Sequence, residues 1–386
     1  MWLTGRLEPD HKTIAEFRKD HGKAIRKVCA QFVDLCRGFG LLAEASVAID
    51  GSKFKAVNNR DRNMTVAKMK RRKDQIDKSV ARYLHQLDSA DRQGPSPAIE
   101  ARTTRLKEKI EKLKEEMERL DKLEDEMLKT EDKQISLTDP DARSMATSGR
   151  GSGVVGYNVQ AAVDTKNHLI VTHEVTNIGN DRRQLSSMAT QTKAVLEVES
   201  LEVVADRGYF YGPEILACEQ ADITVTLPKP MTSGNRAKGM FVKADFRYVA
   251  EDDVYICPAD KRLTYRYTNQ EKDMMLRHYW TNQCQSCALK DRCTTGKERR
   301  ISRWEHEHVL ETVQQRLDMH PEKMRQRRET VEHPFGTIKA RMGATHFLMR
   351  TLKRVRTEMA LHVLAYNLTR VINILGVAPL MKAIRA

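Results

Sequence analysis

Apolar residues at Ile14, Phe17, Ile25, Val28, Phe32 and Leu35 recur at helical spacing, so residues 12–41 read as helices. The period then changes. Ser46-Val47-Ala48-Ile49-Asp50-Gly51 is a β-branched run that ends on an acid and a glycine, the pattern of a buried strand delivering a side chain to a rim. Residues 154–163 and 169–175 read as two more strands, joined by a hairpin-like turn at Asp164-Thr165-Lys166-Asn167. A helix follows over 183–198, then a strand over 201–205 that runs into Asp206, and another over 223–227 before Pro228. Late in the chain, 321–340 reads as a helix with Pro321 in its first turn, and Pro334 should kink or end it just past Glu332. Residues 355–375 are apolar on nearly all sides and predict a buried helix closing the core.

Two stretches interrupt this order. Between 59 and 130, Met69, Ile76, Val80, Tyr83 and Leu87 form a partial heptad, and Leu106, Ile110, Leu113, Met117 and Leu120 a cleaner one among Lys and Glu. The Ser89-to-Pro97 break between them predicts an antiparallel helical hairpin. It could be a dimerisation arm or a DNA-contacting prong, with Arg71-Arg72-Lys73 as contacts, or simply a self-packed hairpin with solvated charges. The second stretch, 228–310, carries four of the seven cysteines. The expected organisation is therefore a helical region over 1–45, an α/β core over 46–376, and insertions at 59–130 and 228–310.

Charge narrows the partners. The formal net charge is +14, and ten Lys or Arg against two Glu between Lys323 and Arg356 concentrate the excess near Glu332. That is the footprint of a polyanion binder. A membrane surface fits less well, because no run of eighteen apolar residues exists and Arg356, Glu358, His362, Asn367 and Arg370 interrupt the C-terminal apolar segment. Met1 leads into Trp2-Leu3-Thr4-Gly5-Arg6 with no apolar core behind it, so no signal peptide is read and a cytoplasmic, nucleoid-associated protein is expected.

Asp50 and Asp206 each end a strand. Two such strands side by side would present two carboxylates that repel unless a divalent cation lies between, and hard Mg²⁺ takes carboxylates plus phosphate oxygens. Strand-terminal Asp residues also simply turn the chain. Glu332 shifts the balance, because Arg325, Arg328, Glu332 and Lys339 fall on one helical face if the kink at Pro334 is mild. One acid in a basic stripe suits a metal ligand whose neighbours hold phosphates, against the plainer reading of a solvated, salt-bridged face.

Arg328, Glu332 and Lys339 keep the spacings of a Tyr-x2-Arg-x3-Glu-x6-Lys signature, with Arg325 in the Tyr position. The chain here resembles the DDE transposases of bacterial insertion sequences. The resemblance extends through Leu137-Thr138-Asp139-Pro140-Asp141-Ala142-Arg143, Val155-Gly156-Tyr157-Asn158-Val159-Gln160, Ala205-Asp206-Arg207-Gly208-Tyr209 and Val331-Glu332-His333-Pro334-Phe335-Gly336, covering most of the chain outside the helical insertion. It implies a ribonuclease-H-like mixed sheet flanked by helices. It also implies that Asp50, Asp206 and Glu332 bind two Mg²⁺ or Mn²⁺ about 3.5–4 Å apart, one activating water or a 3′-hydroxyl and the other stabilising the leaving oxygen. Arg328, Lys339 and Arg325 would contact DNA, and the protein would cut and join element ends, as a homodimer on double-stranded DNA. Such relatives carry a longer helical DNA-binding region ahead of the first acid, so residues 1–45 read as a truncated one if Met1 falls inside it. Two other functions use the same residues: a ribonuclease-H-like nuclease indifferent to terminal repeats, and an inactive, transposase-derived DNA-binding protein.

Cys284-x2-Cys287-x5-Cys293, with Cys257 upstream, suggests structural Zn²⁺ rather than free thiols, stapling a polar loop region without a core of its own. His278 is a substitute ligand in that reading, and an iron–sulfur cluster a poorer choice. Cys29, Cys36 and Cys218 read as core residues. Gly149-Arg150-Gly151-Ser152-Gly153 precedes a strand, so it is a flexible lead-in rather than a phosphate loop, and His306 and His308 read as surface.

Overall fold

The computed structural model describes residues 8–42, 44–57, 62–92, 96–130, 132–145, 153–231 and 234–385; the glycine-rich lead-in at 149–152 and residue 59 lie outside them. The chain begins with α1 (His11–Asp20) and α2 (Gly22–Gly38), then β1 (Ser46–Lys55), β2 (Asn63–Thr65), α3 (Val66–Asp91), α4 (Pro97–Leu128), β3 (Gln134–Ser136) and β4 (Arg143–Met145). The central run is β5 (Val154–Asp164), β6 (Ile170–Thr176), α5 (Leu185–Leu196), β7 (Leu201–Ala205), α6 (Gly212–Gln220) and β8 (Ile223–Thr226). Next come β9 (Arg247–Val249), β10 (Val254–Ile256), β11 (Arg262–Glu271), β12 (Met274–Trp280), α7 (Lys290–Cys293) and β13 (Ile301–Trp304). The chain closes with α8 (Glu307–Met319), α9 (Lys323–Gly336), α10 (Leu352–Leu375) and α11 (Val377–Arg385).

This is a mixed α/β architecture. β4, β5, β1, β7 and β8 lie in that order in a six-stranded sheet, with β6 also paired to β5. β5 is antiparallel to β1, in a register that sets Asp50 opposite Ala161, whereas β7 is parallel to β1 and β8 to β7. Alternation along the strands divides the core in two. Val47, Ile49, Val203 and Ala205 pack under Leu185 and Met188 of α5, Ile215 of α6, and residues of α2 and α8. On the opposite face Ala48, Phe54, Tyr157 and Val159 pack under Val331 and Phe335 of α9 and Val355 and Met359 of α10.

Local expectations need three corrections. β1 does not end at Asp50; it continues to Lys55 because Gly51 through Lys55 stay paired with β5. The helix carrying Glu332 is not ended at Pro334. It runs to Gly336 and then widens into a π turn at Thr337–Arg341, where the Met342 N–H reaches back to the Thr337 carbonyl at 3.0 Å. The Cys-rich insertion has a core of its own, because β9 to β13 form a five-stranded antiparallel sheet over buried Phe246, Tyr255, Leu263, Tyr279 and Ile301.

α3 and α4 pack on each other through Met69, Ile76, Leu120 and Met127; Lys73 pairs with Asp121 at 2.5 Å and Tyr83 lies under Lys109 at 5.7 Å, contacts that run antiparallel. Self-packing thus accounts for the apolar stripes. Cys29, Cys36 and Cys218 are buried, and burial pushes their thiols up to about 11, 12 and 12. Among the described residues no single helix is long and apolar enough to cross a membrane; α10 and α11 pass only as a pair bent by 117°.

The Asp139-Pro140-Asp141 segment proves to be a clamp. Asp139, fully buried, accepts the Tyr157 hydroxyl at 2.8 Å and the Thr351 N–H at 3.0 Å, while Asp141 accepts the Leu352 N–H at 2.7 Å. Together they satisfy the open N–H groups at the start of α10. Asp139→Ala should destabilise the chain by about 1–3 kcal/mol for each donor left unpaired, read as a lowered denaturant midpoint, with the isosteric Asp139→Asn recovering part of the loss.

Candidate functional site

Asp50 stands in the middle of β1 on the same face as Ala48 and Phe54, beneath α9. Asp206 follows the end of β7, where its carboxylate accepts the Gly208 N–H at 2.8 Å and starts a tight turn through Tyr209. The parallel β1–β7 register aligns Ile49 with Ala205 and so brings the two acids to neighbouring positions. A single guanidinium joins them: Arg327 of α9 lies 2.5 Å from Asp50 and 3.9 Å from Asp206. The Arg327 Nε is buried without a hydrogen-bond partner, so the guanidinium is held by charge more than by a full set of acceptors.

Burial raises the Asp50 carboxyl to about 6, with Arg327 opposing the shift and the Asp206 charge adding to it. The pair is a like-charge cluster with one cation between. Lys339 lies close by. Its ammonium donates to Ser52 Oγ at 2.6 Å and the Lys53 carbonyl at 3.0 Å and sits 4.5 Å from the Phe54 ring centre. Burial holds it below the usual lysine range, against the pull of Asp50.

The basic stripe predicted on α9 is divided. Val331, Pro334 and Ile338 are buried, and Lys323 anchors the helix start to Glu202 of β7 at 2.8 Å. Arg327 shares that inward face. Arg325, Arg328 and Glu332 are exposed on the other side; Arg325 pairs with Glu329 at 2.8 Å, while Arg328 and Glu332 have no ion-pair or hydrogen-bond partner among the described residues. Lys339 turns inward past the π turn. The structure therefore brings Asp50, Asp206 and Lys339 together and leaves Glu332 free on the surface of the same helix.

Two residues escaped the sequence reading. Arg327 could have been found by counting four residues on from Lys323 and four back from Val331. Asp181 carried no local signal. It lies in the loop before α5 and accepts the Asn158 and Gln160 side-chain amides, both at 2.7 Å, and Lys53 at 3.3 Å. Gln160 in turn accepts the hydroxyl of buried Tyr209, so the network reaches the turn that carries Asp206. Gly51 makes room for it, since a Cβ there would lie 2.4 Å from the Gln160 amide and 2.6 Å from Asp181.

Cys257, Cys284, Cys287 and Cys293 are partly exposed free thiols, and all four line one small cavity in the Cys-rich insertion. His278 is not with them. Its ring nitrogens engage Asn269 at 2.6 Å and Ser302 at 3.1 Å and its face stacks on Tyr267, which occupies it within the sheet. Among the described residues no three His, Cys, Asp or Glu side chains are gathered closely enough to hold a metal ion.

A family model described as a transposase DDE domain matches residues 256–372. The match takes in all four clustered cysteines, Arg325, Arg328, Glu332 and Lys339, and excludes Asp50 and Asp206. No curated protein matches the chain. Among solved structures the chain is similar to a piggyBac transposase in a synaptic complex with hairpin DNA, at 8% identity and a TM-score of 0.27, over 59% of this chain and 42% of that one. The chain thus spans less than half the length of that protein.

The charge arrangement makes a direct prediction. In carboxyl-resolved NMR titrations Arg327→Gln should raise the Asp50 pKa further, and Asp206→Asn should lower it. A native pKa near 6 against an ordinary 3.8 means that the folded state keeps this proton where the unfolded chain has lost it. Stability should fall as pH rises through that window, more steeply in Arg327→Gln, which urea midpoints measured across it would show.

Proposed function

We propose that this chain is a DDE transposase that cuts DNA strands and transfers them at the ends of an insertion sequence, with Asp50, Asp206 and Glu332 as its acids. The observation that carries the reading is the pair Asp50–Asp206 on adjacent parallel strands beneath α9, the helix that also bears Glu332 and lies within the matched transposase segment. The strand order β6–β5–β1–β7–β8, with only β5 antiparallel to β1 at the centre, fits a ribonuclease-H-like core.

The donor set suits Mg²⁺ or Mn²⁺. Asp50 and Asp206 offer hard oxygens, and burial, opposed by Arg327, holds the Asp50 carboxyl above the usual carboxylate range. A bound divalent cation there would activate the attacking oxygen and stabilise the leaving one. The remaining roles belong to the chain. Asp50 and Asp206 are held in place by the strand register, the Asp206 turn and the network below it. Lys339, fixed by Ser52 and the Lys53 carbonyl, offers positive charge beside Asp50 for a scissile phosphate. Arg328 and Arg325 on the exposed face of α9 suit flanking phosphates of double-stranded DNA, gripped by a homodimer.

Glu332→Gln tests the assignment. Wild type should cleave DNA carrying candidate element ends in Mg²⁺ or Mn²⁺, and the variant should bind the same DNA without cutting. Equal cleavage by both would remove Glu332 from the site. Cleavage that ignores the ends would make the protein a nuclease, and binding without cleavage by wild type would make it an inactive DNA-binding protein. Arg328→Gln should leave the fold intact and reduce the slope of log affinity against log salt by about 1, measured by fluorescence anisotropy on duplex DNA.

A further inference from the structure

The four clustered cysteines come from separate segments. Cys257 follows β10, Cys284 sits in a helical turn at Asn282–Ser286, Cys287 caps that turn, and Cys293 ends α7. They meet at one cavity of about 20 Å³, enough for about one atom-sized occupant by the usual packing threshold. Cys257 Sγ already accepts the Lys261 backbone N–H at 3.4 Å, the kind of supporting contact that orients a ligand thiolate.

Two further observations favour an ion over four idle thiols. Residues 282–300 contain no fully buried side chain, and Cys293 is what this stretch packs against the small core beneath it, alongside Cys257. Arg299 lines the same cavity with its Nε buried and without a hydrogen-bond partner. Its guanidinium also lies 5.4 Å from the centre of the Phe246 ring, and beside thiolates it would be a counter-charge.

We propose that Cys257, Cys284, Cys287 and Cys293 bind one structural zinc ion through four thiolates. Four soft sulfurs with no open position favour tetrahedral Zn²⁺ over a hard cation, and a closed set of protein ligands makes the site structural rather than catalytic. Binding releases the four thiol protons and leaves a site of charge −2, which Arg299 partly offsets. The sulfurs are drawn from the cavity wall onto the ion, which cross-links residues 282–300 to the turn after β10. The assignment is independent of the DNA chemistry proposed above, because it is read without any nucleic acid.

The full chain, purified under reducing conditions, should carry one zinc per chain by elemental analysis, with the partly exposed Cys257, Cys284, Cys287 and Cys293 unreactive towards a thiol reagent until a chelator removes the metal. Replacement with Co²⁺ should give thiolate-to-cobalt charge transfer and the visible bands of tetrahedral coordination. Cys284→Ser and Cys293→Ser should lose the zinc, and Cys29→Ser should retain it. Should the ligand variants fail to fold, chelator titration of wild type serves instead, with zinc loss and exposure of four thiols in step. Iron in place of zinc would overturn the proposal, as would reactive clustered thiols in a folded chain that takes up neither zinc nor cobalt, or an undiminished metal content in Cys284→Ser.

Discussion

Two carboxylates on adjacent strands under one helix set the terms for everything around them. Unbalanced, they would repel, and burial makes Asp50 the more costly of the two. Arg327 answers that charge from α9, and the position of α9 is then fixed at both ends of the pair, by Lys323 on Glu202 and by Val331 and Phe335 in the core. The helix is thus an electrostatic lid whose inward face is committed to the acids and whose outward face is left free for Arg328 and Glu332.

The rest of the molecule braces this arrangement. α10 packs beside α9 on the same face of the sheet, and its first turn is tied down by Asp139 and Asp141. Asn367 further along it accepts the Ile170 N–H and donates to the Ile170 carbonyl, stitching the helix to the outer strand β6. On the other face the Asp181–Gln160–Tyr209 chain supports the Asp206 turn from below. Gly51 is the price of that approach, since any side chain there would collide with the amide and carboxylate. The Cys-rich insertion is tied to the core through Asp273, which pairs with Arg183 and accepts the Tyr211 hydroxyl, both at 2.6 Å. The helical hairpin instead packs on itself.

Much of the element order was legible from periodicity: the β5–β6 hairpin, α5, β7, β8, the two long helices of the hairpin and the buried α10 all lie close to where apolar spacing puts them. The candidate site was legible only in part. Asp50 and Asp206 stand out because each is a polar interruption of a β-branched run. The fate of the α9 stripe was not readable, because the π turn changes the phase of the helix between Glu332 and Lys339 and sends the lysine inward. A count at constant pitch keeps both on one face. The core of the Cys-rich insertion was missed as well, because its residues are scattered among polar ones and meet only across five short strands.

The sequence by itself determined which segments become helices and strands, which of their faces are apolar, and that carboxylates, basic residues and cysteines occur where chemistry could use them. These follow from local spacing, since 3.6- and 2-residue periods project side chains to fixed sides of an element. Tertiary structure decided which charges meet. The β1–β7 register placed Asp50 beside Asp206, the docking of α9 chose Arg327 over Arg328 as their partner, and loop closure brought Asp181 beneath them and Cys257 to the other three thiols. Such contacts depend on register and burial between residues far apart in the chain, and no local pattern encodes those distances.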